Sequence, residues 1–330
     1  MKTRLLLTMC LSLILVSCQN SDLENIQNEI PENFDSVEVS FAFSGEYIEV
    51  TEEPLESRTV ATEKTYFAFD IDTLSIRKTE FKGIITYDTT YCHYAEGLFI
   101  SDENMRLHLP RDRKYRIEAA IVKEVGDVLY HEDNFYFAPF CASVNAGGVE
   151  LKNAFVISKT SNYNLDQVWV NTSEKNRFHI NPMIDRYYGS VFYEPAEDKA
   201  TIEIDLDRYA FGLKITITPP TDGRIILTSQ SPKINYVVES TDGTLEENHI
   251  YAANTNSETY IRNPEYQEKL YFDLIWEREN GAENVEMQKT IEVRRNTRKV
   301  ININLNNRDK ESDFGLNEEG EMTDEEVNIN

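Results

Sequence analysis

The cysteine at position 18 has the sequence context in which a thiol accepts a lipid. Two basic residues and a mostly apolar segment from Leu5 to Val16 precede it. This segment is shorter than the about 20 residues that cross a bilayer, but its length suits a secretion signal. Ser17 is the small residue required before a cut, and Cys18 offers the thiol that diacylglycerol would modify. The sequence therefore predicts a signal peptide at 1–17 and acylation of Cys18, rather than an ordinary signal with a chance cysteine.

Lipid on Cys18 would decide where the protein resides. Each buried methylene contributes about 0.8 kcal/mol, so several acyl chains such as palmitate hold a protein at a bilayer. The polar, acidic residues 19–24 resemble the export tag of surface lipoproteins in Bacteroidota-type outer membranes. We therefore expect a lipid-anchored protein of the outer membrane that faces the cell surface, with residues 18–35 as its tether.

The chain is strongly acidic, with 33 Lys and Arg against 58 Asp and Glu and a formal net charge of −25. A charge of this sign repels the phosphates of nucleic acids, so we expect no nucleic-acid partner. The acids do not follow the spacing of a calcium-binding loop, and we interpret them as solvated faces.

The cysteines leave one pairing open. Once Cys10 departs with the signal and Cys18 is acylated, Cys92 and Cys141 remain. A disulfide between them is chemically allowed outside the cytoplasm and would contribute roughly 4 kcal/mol by closing its loop, but two buried thiols fit the sequence as well. His93 follows Cys92 without further ligands nearby in the sequence, so we expect neither a metal nor a cofactor.

The sequence lacks the motifs of common catalytic sites, including nucleophile elbows, zinc-protease helices and phosphate loops. Its five histidines show no metal-ligand spacing and are His93, His108, His131, His179 and His249. Folding could bring together a pair of carboxylates of the glycosidase type. Because the chain has so many acids, such a pair would not by itself indicate a catalytic site. We expect a protein that is not an enzyme.

Two tryptophans, Trp169 and Trp276, could stack on sugar rings. Exposed indoles would favour a glycan-binding lipoprotein. Tryptophan in a β-sandwich is more often part of the core, however, so the solvent accessibility of both side chains decides between these interpretations.

The hydrophobic pattern that must position these residues is that of β-strands. The run 37–43 alternates apolar and polar residues, which is typical of a half-buried strand. Other strand-like runs are separated by Gly, Asn and Asp and lie at 65–71, 82–87, 114–122, 133–138, 150–157, 202–206, 213–217, 224–229, 233–239, 269–276, 286–293 and 299–305. Short strands with such punctuation predict an all-β, mostly antiparallel fold of sandwich type.

The polar segment 158–182 divides the strand-rich regions, and we place the domain join there. The sequence then predicts an N-terminal β-sandwich at 36–165 and a C-terminal β-sandwich at 166–305. Residues 306–330 are rich in acids and poor in apolar residues, and we interpret them as an acidic tail.

A more specific pattern lies in the second half. Asp185-Arg186-Tyr187-Tyr188-Gly189 is followed, after an acidic strand, by the segment from Leu206 to Ile215. This order resembles the fimbrillin-type lipoproteins of Bacteroidota, which are subunits and anchors of type V pili. The closing Arg295-Asn296-Thr297 before a final strand is also similar. The resemblance implies two tandem transthyretin-like β-sandwich domains and assembly with other fimbrial subunits by strand exchange.

In that family an Arg-specific protease removes the first strand of stalk subunits, and the groove accepts a strand from the next subunit. Arg58, which follows the first strand, is the matching position here. If Arg58 is not cut, the lipid stays attached and an anchor fits better. The triplets around Ser36, Thr73 and Thr89 look like O-glycosylation acceptors of this bacterial group.

Two functions follow from these patterns. The first is a fimbrial subunit or anchor at the cell surface that contributes to adhesion, with other subunits and a host or glycan ligand as partners. The second is an outer-membrane glycan-binding lipoprotein of a sugar-uptake system. The role within a pilus, whether stalk, anchor or tip, stays open at this stage.

Overall fold

The computed structural model describes most of the chain from residue 35 onward. The described residues are 35–46, 63–82, 84–101, 105–125, 127–141, 147–166, 170–171, 178–179, 181–196, 199–253, 267–279, 282–306 and 317–318. All regular secondary structure within these residues is β-strand, and most strand pairs are antiparallel. The predicted all-β, mostly antiparallel fold is therefore confirmed. Within this part of the chain there is also no helix with the length and apolar character needed to cross a membrane.

An eight-stranded sheet occupies the first part of the molecule, in the order β4-β1-β13-β12-β5-β2-β3-β9. Its strands, in chain order, are β1 Ser36–Gly45, β2 Glu63–Phe81, β3 Ile84–Phe99, β4 Arg106–Pro110, β5 Tyr115–Val125, β9 Phe155–Ile157, β12 Ile184–Tyr193 and β13 Lys199–Arg208. The sheet folds over on itself, because the ring of Phe41 in β1 lies 5.5 Å from that of Phe155 in β9, near the opposite end of the strand order.

Both faces of this sheet are covered around β2, β5 and β12. The face turned inward by the fold carries a core to which β1, β2, β4, β5 and β13 all contribute. The other face is covered by the segment 127–166, which holds a small three-stranded sheet of β6 His131–Glu132, β7 Phe135–Tyr136 and β8 Val149–Glu150. Two further short strands, β10 Val170–Asn171 and β11 Phe178–His179, pair with each other.

The remainder forms a β-sandwich, here named the C-terminal sandwich. Its first sheet has the order β17-β14-β20-β21 and its second β16-β15-β18-β19. The strands are β14 Ala210–Ile217, β15 Arg224–Gln230, β16 Lys233–Glu239, β17 Leu245–Ala252, β18 Gln267–Glu277, β19 Val285–Arg294, β20 Arg298–Ile303 and β21 Asn317–Glu318. Alternating residues of both sheets, such as Ile215 and Leu274, meet in one apolar core.

The two parts share one topological feature. In each, the first strand pairs in parallel with a strand near the end of that part, so that β1 pairs with β13 and β14 pairs with β20. Only Tyr209 separates β13 from β14. The chain therefore passes from the eight-stranded sheet into the C-terminal sandwich without a linker.

This connection corrects the predicted boundaries. The change of sheet falls at Tyr209, so β12 and β13 belong with β5 and β1 rather than with a sandwich at 166–305. The polar segment 158–182, where the sequence placed the join, instead leads from the cover of the first sheet back into β12. Polar composition marked a surface connection there, and surface connections also occur inside a domain.

A two-stranded ribbon projects from the eight-stranded sheet. The ladder between β2 and β5 ends at Thr73, and the ladder between β3 and β9 ends at Ala95. Beyond these points β2 and β3 continue to pair with each other as far as Phe81 and Ile84. The ribbon carries exposed apolar side chains, among them Ile76 and Tyr87.

Candidate functional site at strand β1

Strand β1 lies inside the eight-stranded sheet although it is the first strand of the described chain. It pairs antiparallel with β4, from Ser36 opposite Pro110 to Ser40 opposite Arg106. On its other side it pairs parallel with β13, from Glu38 opposite Lys199 to Gly45 opposite Leu206. The strand therefore fills a gap between β4 and β13, and those two strands do not pair with each other in the sheet order.

The inward side chains of β1 complete the core of the first sheet. Val37 and Val39 are fully buried, and burial of one such side chain contributes about 1.5–3 kcal/mol. Phe41 and Phe43 pack partly buried against the same core. The ring of Phe41 lies 4.6 Å from that of Phe69, which stands on β2 across the fold of the sheet. Without β1, the ring of Phe69 would lose this cover.

The outward side of β1 makes weaker contacts. Ser40 and Thr201 exchange a hydrogen bond of 3.2 Å between their hydroxyl groups. Glu38 lies 3.8 Å from both Arg106 and His108 on β4. Exposed pairs at this separation contribute little to stability, so the inward residues and the two backbone ladders hold the strand.

The end of β1 is fixed by Gly45 and Glu46. Gly45 has a φ of +80°, and a Cβ at this position would lie 2.7 Å from the backbone oxygen of Leu206. The backbone N–H of Glu46 donates to the same oxygen at 2.8 Å. The Glu46 carboxylate accepts hydrogen bonds from the backbone N–H of Arg208 at 2.7 Å and from Arg295 Nη1 at 2.6 Å. Glu46 thus ties β1 to β13 and to the C-terminal sandwich.

A buried ion pair supports this end of the site. Arg208 donates two hydrogen bonds to Asp185, from Nε at 2.8 Å and from Nη2 at 2.7 Å. Tyr187 donates from its hydroxyl group to the same carboxylate at 2.8 Å. Burial acts to lower the pKa of Arg208, but the charge of Asp185 outweighs it and the pKa is raised overall. Arg208 therefore keeps its charge.

Arg186 and Tyr188, which alternate with Asp185 and Tyr187 along β12, point to the opposite face of the sheet. Arg186 is fully buried and donates to the backbone oxygen of Leu165 at 2.5 Å, and this burial lowers its pKa to about 10. The Tyr188 hydroxyl group donates to Glu118 at 2.5 Å. The motif at 185–189 therefore serves both faces of one sheet, with Asp185 toward Arg208 and Arg186 toward the cover segment.

The segment 295–297 completes the contacts at the end of β1. Asn296 adopts a φ of +53°, and its N–H donates to Ala210 at 2.6 Å. The preceding Arg295 is thereby placed over the ring of Tyr209, 5.9 Å from its centroid, and within 3.7 Å of Asp207. The structure thus brings together the three segments that carried the fimbrillin resemblance, at the end of β1.

Several predicted site residues lie outside the described residues, namely Cys18, Arg58 and Trp169, together with the signal peptide and nearly all of the tether and tail. Their roles stay predictions. Ser36 begins β1 and is half-buried, whereas Thr89 is exposed on the ribbon. Thr73 is only 3% exposed and donates to the backbone oxygen of Lys114, so the folded protein has no room for a glycan there.

The sequence left a disulfide between Cys92 and Cys141 open, and the structure does not form it. Cys141 keeps its thiol, which is completely buried in the core beneath the cover segment, and its backbone forms an isolated β-bridge with that of Tyr163. Cys92 lies instead opposite Thr73 at the base of the ribbon. The two cysteines belong to different layers, which spacing in the sequence could not reveal.

Trp276 belongs to the core of the C-terminal sandwich and is 7% exposed. Its indole N–H donates to the backbone oxygen of Asp222 at 2.8 Å, and the guanidinium of Arg278 lies 4.5 Å from its ring centroid. One face of the indole is thus covered by protein, and Trp276 offers no platform for a sugar ring.

Sequence reasoning missed two features. Glu46 was not singled out, although a glycine directly after an alternating strand, followed by an acid, marks a turn with a free carboxylate. The expectation that His93 has no ligand partners is also corrected, because Asp70 and Asp72 on the neighbouring strand approach it. Cross-strand partners depend on register, which the spacing within one strand does not give.

No family model matches the chain, and no curated protein does either. Among solved structures, a fimbrial assembly protein from Parabacteroides distasonis is similar at 10% identity and a TM-score of 0.29, covering 81% of this chain and 90% of its own. A candidate cell adhesion protein from Bacteroides eggerthii has 10% identity and a TM-score of 0.33, covering 85% and 88%. A candidate polysaccharide binding protein from Bacteroides thetaiotaomicron has 12% identity and a TM-score of 0.30, covering 81% and 90%.

Proposed function

We propose that this protein is a lipid-anchored fimbrial subunit or anchor of the cell surface that assembles by exchange of strand β1. The observation that carries the proposal is the position of β1 between β4 and β13. A first strand inserted between two others can leave without breaking any other strand pair of the sheet.

The chain order allows such a departure. Residues 47–62, which include Arg58, connect β1 to β2. A cut after Arg58 would leave β1 held only by its two ladders, its apolar side chains and the contacts of Glu46. Removal of β1 would then leave β4 without the strand it pairs with in the described sheet, and it would expose one edge of β13 and the ring of Phe69 on β2.

An incoming strand would have to reproduce what β1 supplies. Backbone groups on both edges would provide affinity regardless of sequence, and apolar side chains at alternate positions would provide specificity. The positions to be filled are those of Val37, Val39, Phe41 and Phe43. An unfilled gap would present two open strand edges and exposed core, which promotes association with another chain.

The test is limited cleavage by an Arg-specific protease, with the Arg58→Gln variant as the matched control. We expect the wild-type protein to be cut at Arg58 and then to form higher oligomers in size-exclusion chromatography with light scattering. The variant should stay intact and monomeric.

A peptide of residues 36–46 sharpens this test. Added in excess to the cut protein, it should refill the gap and suppress the oligomers, whereas a peptide with Phe41→Asp and Phe43→Asp should not. If the cut protein loses β1 yet stays monomeric and does not bind the peptide, strand exchange is the wrong mechanism.

A further inference from the structure

A buried polar cluster lies where the ribbon leaves the eight-stranded sheet. It consists of Asp70 and Asp72 on β2 with His93 and Glu96 on β3, and we name it the His93 cluster. His93 stands opposite Asp72, and Glu96 stands opposite Asp70. These four side chains share the sheet face that the segment 127–166 covers farther along.

A β-bulge creates this cluster. Residues 93 and 96 are three apart, so a regular strand would point them to opposite faces. The register shifts between Ile71 and Asp72, and Tyr94 is the extra residue on β3. One inserted residue restores His93 to the face of Glu96, and bulges of this kind frequently re-aim side chains at functional sites.

The imidazole of His93 is nine-tenths buried, with 7% of the side chain exposed. Its Nδ1 lies 2.9 Å from Asp70 Oδ1 and 4.0 Å from Asp72 Oδ1, and its Nε2 lies 3.5 Å from Glu96 Oε2. Neither ring nitrogen has a hydrogen bond of acceptable geometry, and the same holds for the facing oxygens of Asp70 and Glu96. Buried polar atoms of this kind require a partner.

The charge around His93 is unbalanced. The cluster contributes three carboxylates, and Glu118 stands opposite Asp70 on β5 as a fourth. The facing cation is Arg116, which donates to Asp72 Oδ2 at 2.5 Å and lies 3.8 Å from Glu118. One guanidinium against four half-buried carboxylates leaves a net negative charge in a region of low dielectric, which favours a bound cation.

We propose that the His93 cluster binds a divalent transition-metal ion, with zinc as the reference ion, through His93 Nδ1 and one oxygen each of Asp70 and Asp72. These three atoms lie within 4.8 Å of one another. Ligands of a tetrahedral zinc ion are about 3.3 Å apart, given bonds of about 2.0–2.2 Å. The separations of 2.9 and 4.0 Å from Nδ1 bracket that distance.

The other atoms of the cluster suit the same arrangement. A histidine that binds a metal through one nitrogen usually donates its other N–H to a carboxylate, which is the position of Glu96 beside Nε2. Asp72 keeps Oδ2 for Arg116 while Oδ1 remains for the ion. The imidazole nitrogen favours zinc or a similar ion over calcium, which prefers six or more oxygen ligands.

The His93 cluster lies beside a cavity and at the base of the ribbon. A cavity of about 160 Å³, lined by Glu96, Lys152 and Tyr163 among others, adjoins the cluster at Glu96. The ion would join β2 to β3 at the last residues before the ribbon. It would therefore stiffen the ribbon at its base.

The experiment is calorimetric titration of zinc chloride into the purified, chelator-treated protein. We expect one equivalent to bind to the wild type, at least tenfold weaker binding to Asp70→Asn, and loss of binding in His93→Gln. His249→Gln is the matched control, because His249 lies 3.0 Å from Glu247 but is not part of such a ligand set in the described chain. That variant should bind zinc like the wild type.

Two readouts on the wild-type protein avoid dependence on variants that fail to fold. Zinc should shift the ring resonances of His93 in nuclear magnetic resonance spectra. It should also slow amide hydrogen exchange in the ribbon, residues 74–91, by severalfold relative to β15 and β18. Absence of zinc binding by the wild type, or equal loss of binding in His249→Gln, would overturn the proposal.

Discussion

The buried charges of β12 show how one residue can hold two strands in place. Asp185 accepts both hydrogen bonds of the Arg208 guanidinium and one from Tyr187, so its charge is fully compensated. Both partners of the ion pair are nearly inaccessible to water. Buried pairs of this type depend on each other, because the loss of one leaves the other as an unpaired charge.

Replacement of Asp185 by alanine should therefore cost about 3–5 kcal/mol of unfolding free energy, since Arg208 would stay buried without its partner. Urea denaturation measures this cost. The matched control is Glu277→Ala, which breaks the exposed pair with Arg224 and should leave the urea midpoint nearly unchanged. The double variant Asp185→Leu, Arg208→Met should recover most of the loss. A double variant no more stable than Asp185→Ala would contradict this account.

The sequence indicated which segments form the site at the end of β1, but it did not indicate which residues contact each other there. The sequence shows the motifs at 185–189, 206–215 and 295–297. In the structure Glu46 binds Arg208 and Arg295, and Arg208 in turn binds Asp185. Their contacts could not be predicted, because an ion pair between β12 and β13 requires the register of two strands. The same limit hid the approach of Asp70 and Asp72 to His93.

Among the elements, the contact of β12 with β13 depends on a residue without a side chain. The two strands pair at Tyr187 and Tyr188. At the next residue, Gly189, a Cβ would lie 2.1 Å from the backbone oxygen of Asp205. A backbone oxygen cannot move aside as a side chain can, so the approach of the strands requires glycine.

Gly189→Ala should destabilise the protein by about 1–3 kcal/mol or more, because the two strands must separate to admit the methyl group. The control is Gly243→Ala, where a Cβ would meet nothing within 4 Å, and its effect should stay within about 0.5 kcal/mol. Thermal unfolding of both variants provides the measurement. Equal melting temperatures for the two variants would show that the contact is looser than described.

The alternation of apolar and polar residues in the sequence predicted β1, but it did not predict β12. β1 buries alternate residues at its start, as a strand between core and solvent does. The first six residues of β12 are all buried, because both faces of the sheet are covered there. A strand covered on both sides has no period of two in its hydrophobicity, so the sequence shows only a mixture of charged and aromatic residues.

For the molecule as a whole, Glu46 is the point where β1, β13 and the C-terminal sandwich meet. Its replacement by glutamine removes the charge from the hydrogen bond to Arg295, and such bonds contribute about 1.5–3 kcal/mol. We expect the amides of β1 to exchange with deuterium about tenfold faster or more, with no change in β15 and β18. Mass spectrometry of peptic fragments measures this difference.

Glu38→Gln is the control for this change, because Glu38 lies near the surface, 3.8 Å from both Arg106 and His108, and away from the end of β1 that Glu46 holds. It should leave the exchange of β1 unaltered. Uniform acceleration throughout the protein in Glu46→Gln would indicate global destabilisation rather than a local release of β1.

The double pairing of β1 has a mechanical consequence. If Cys18 carries the predicted lipid anchor, a pull along the axis of β1 would enter the fold at Ser36. Hydrogen bonds in both ladders then bear the load together in shear, instead of rupturing one after another. A force across the sheet would instead peel the strand from one end. Strand β1 therefore resists a pull along its axis more strongly than a pull across it.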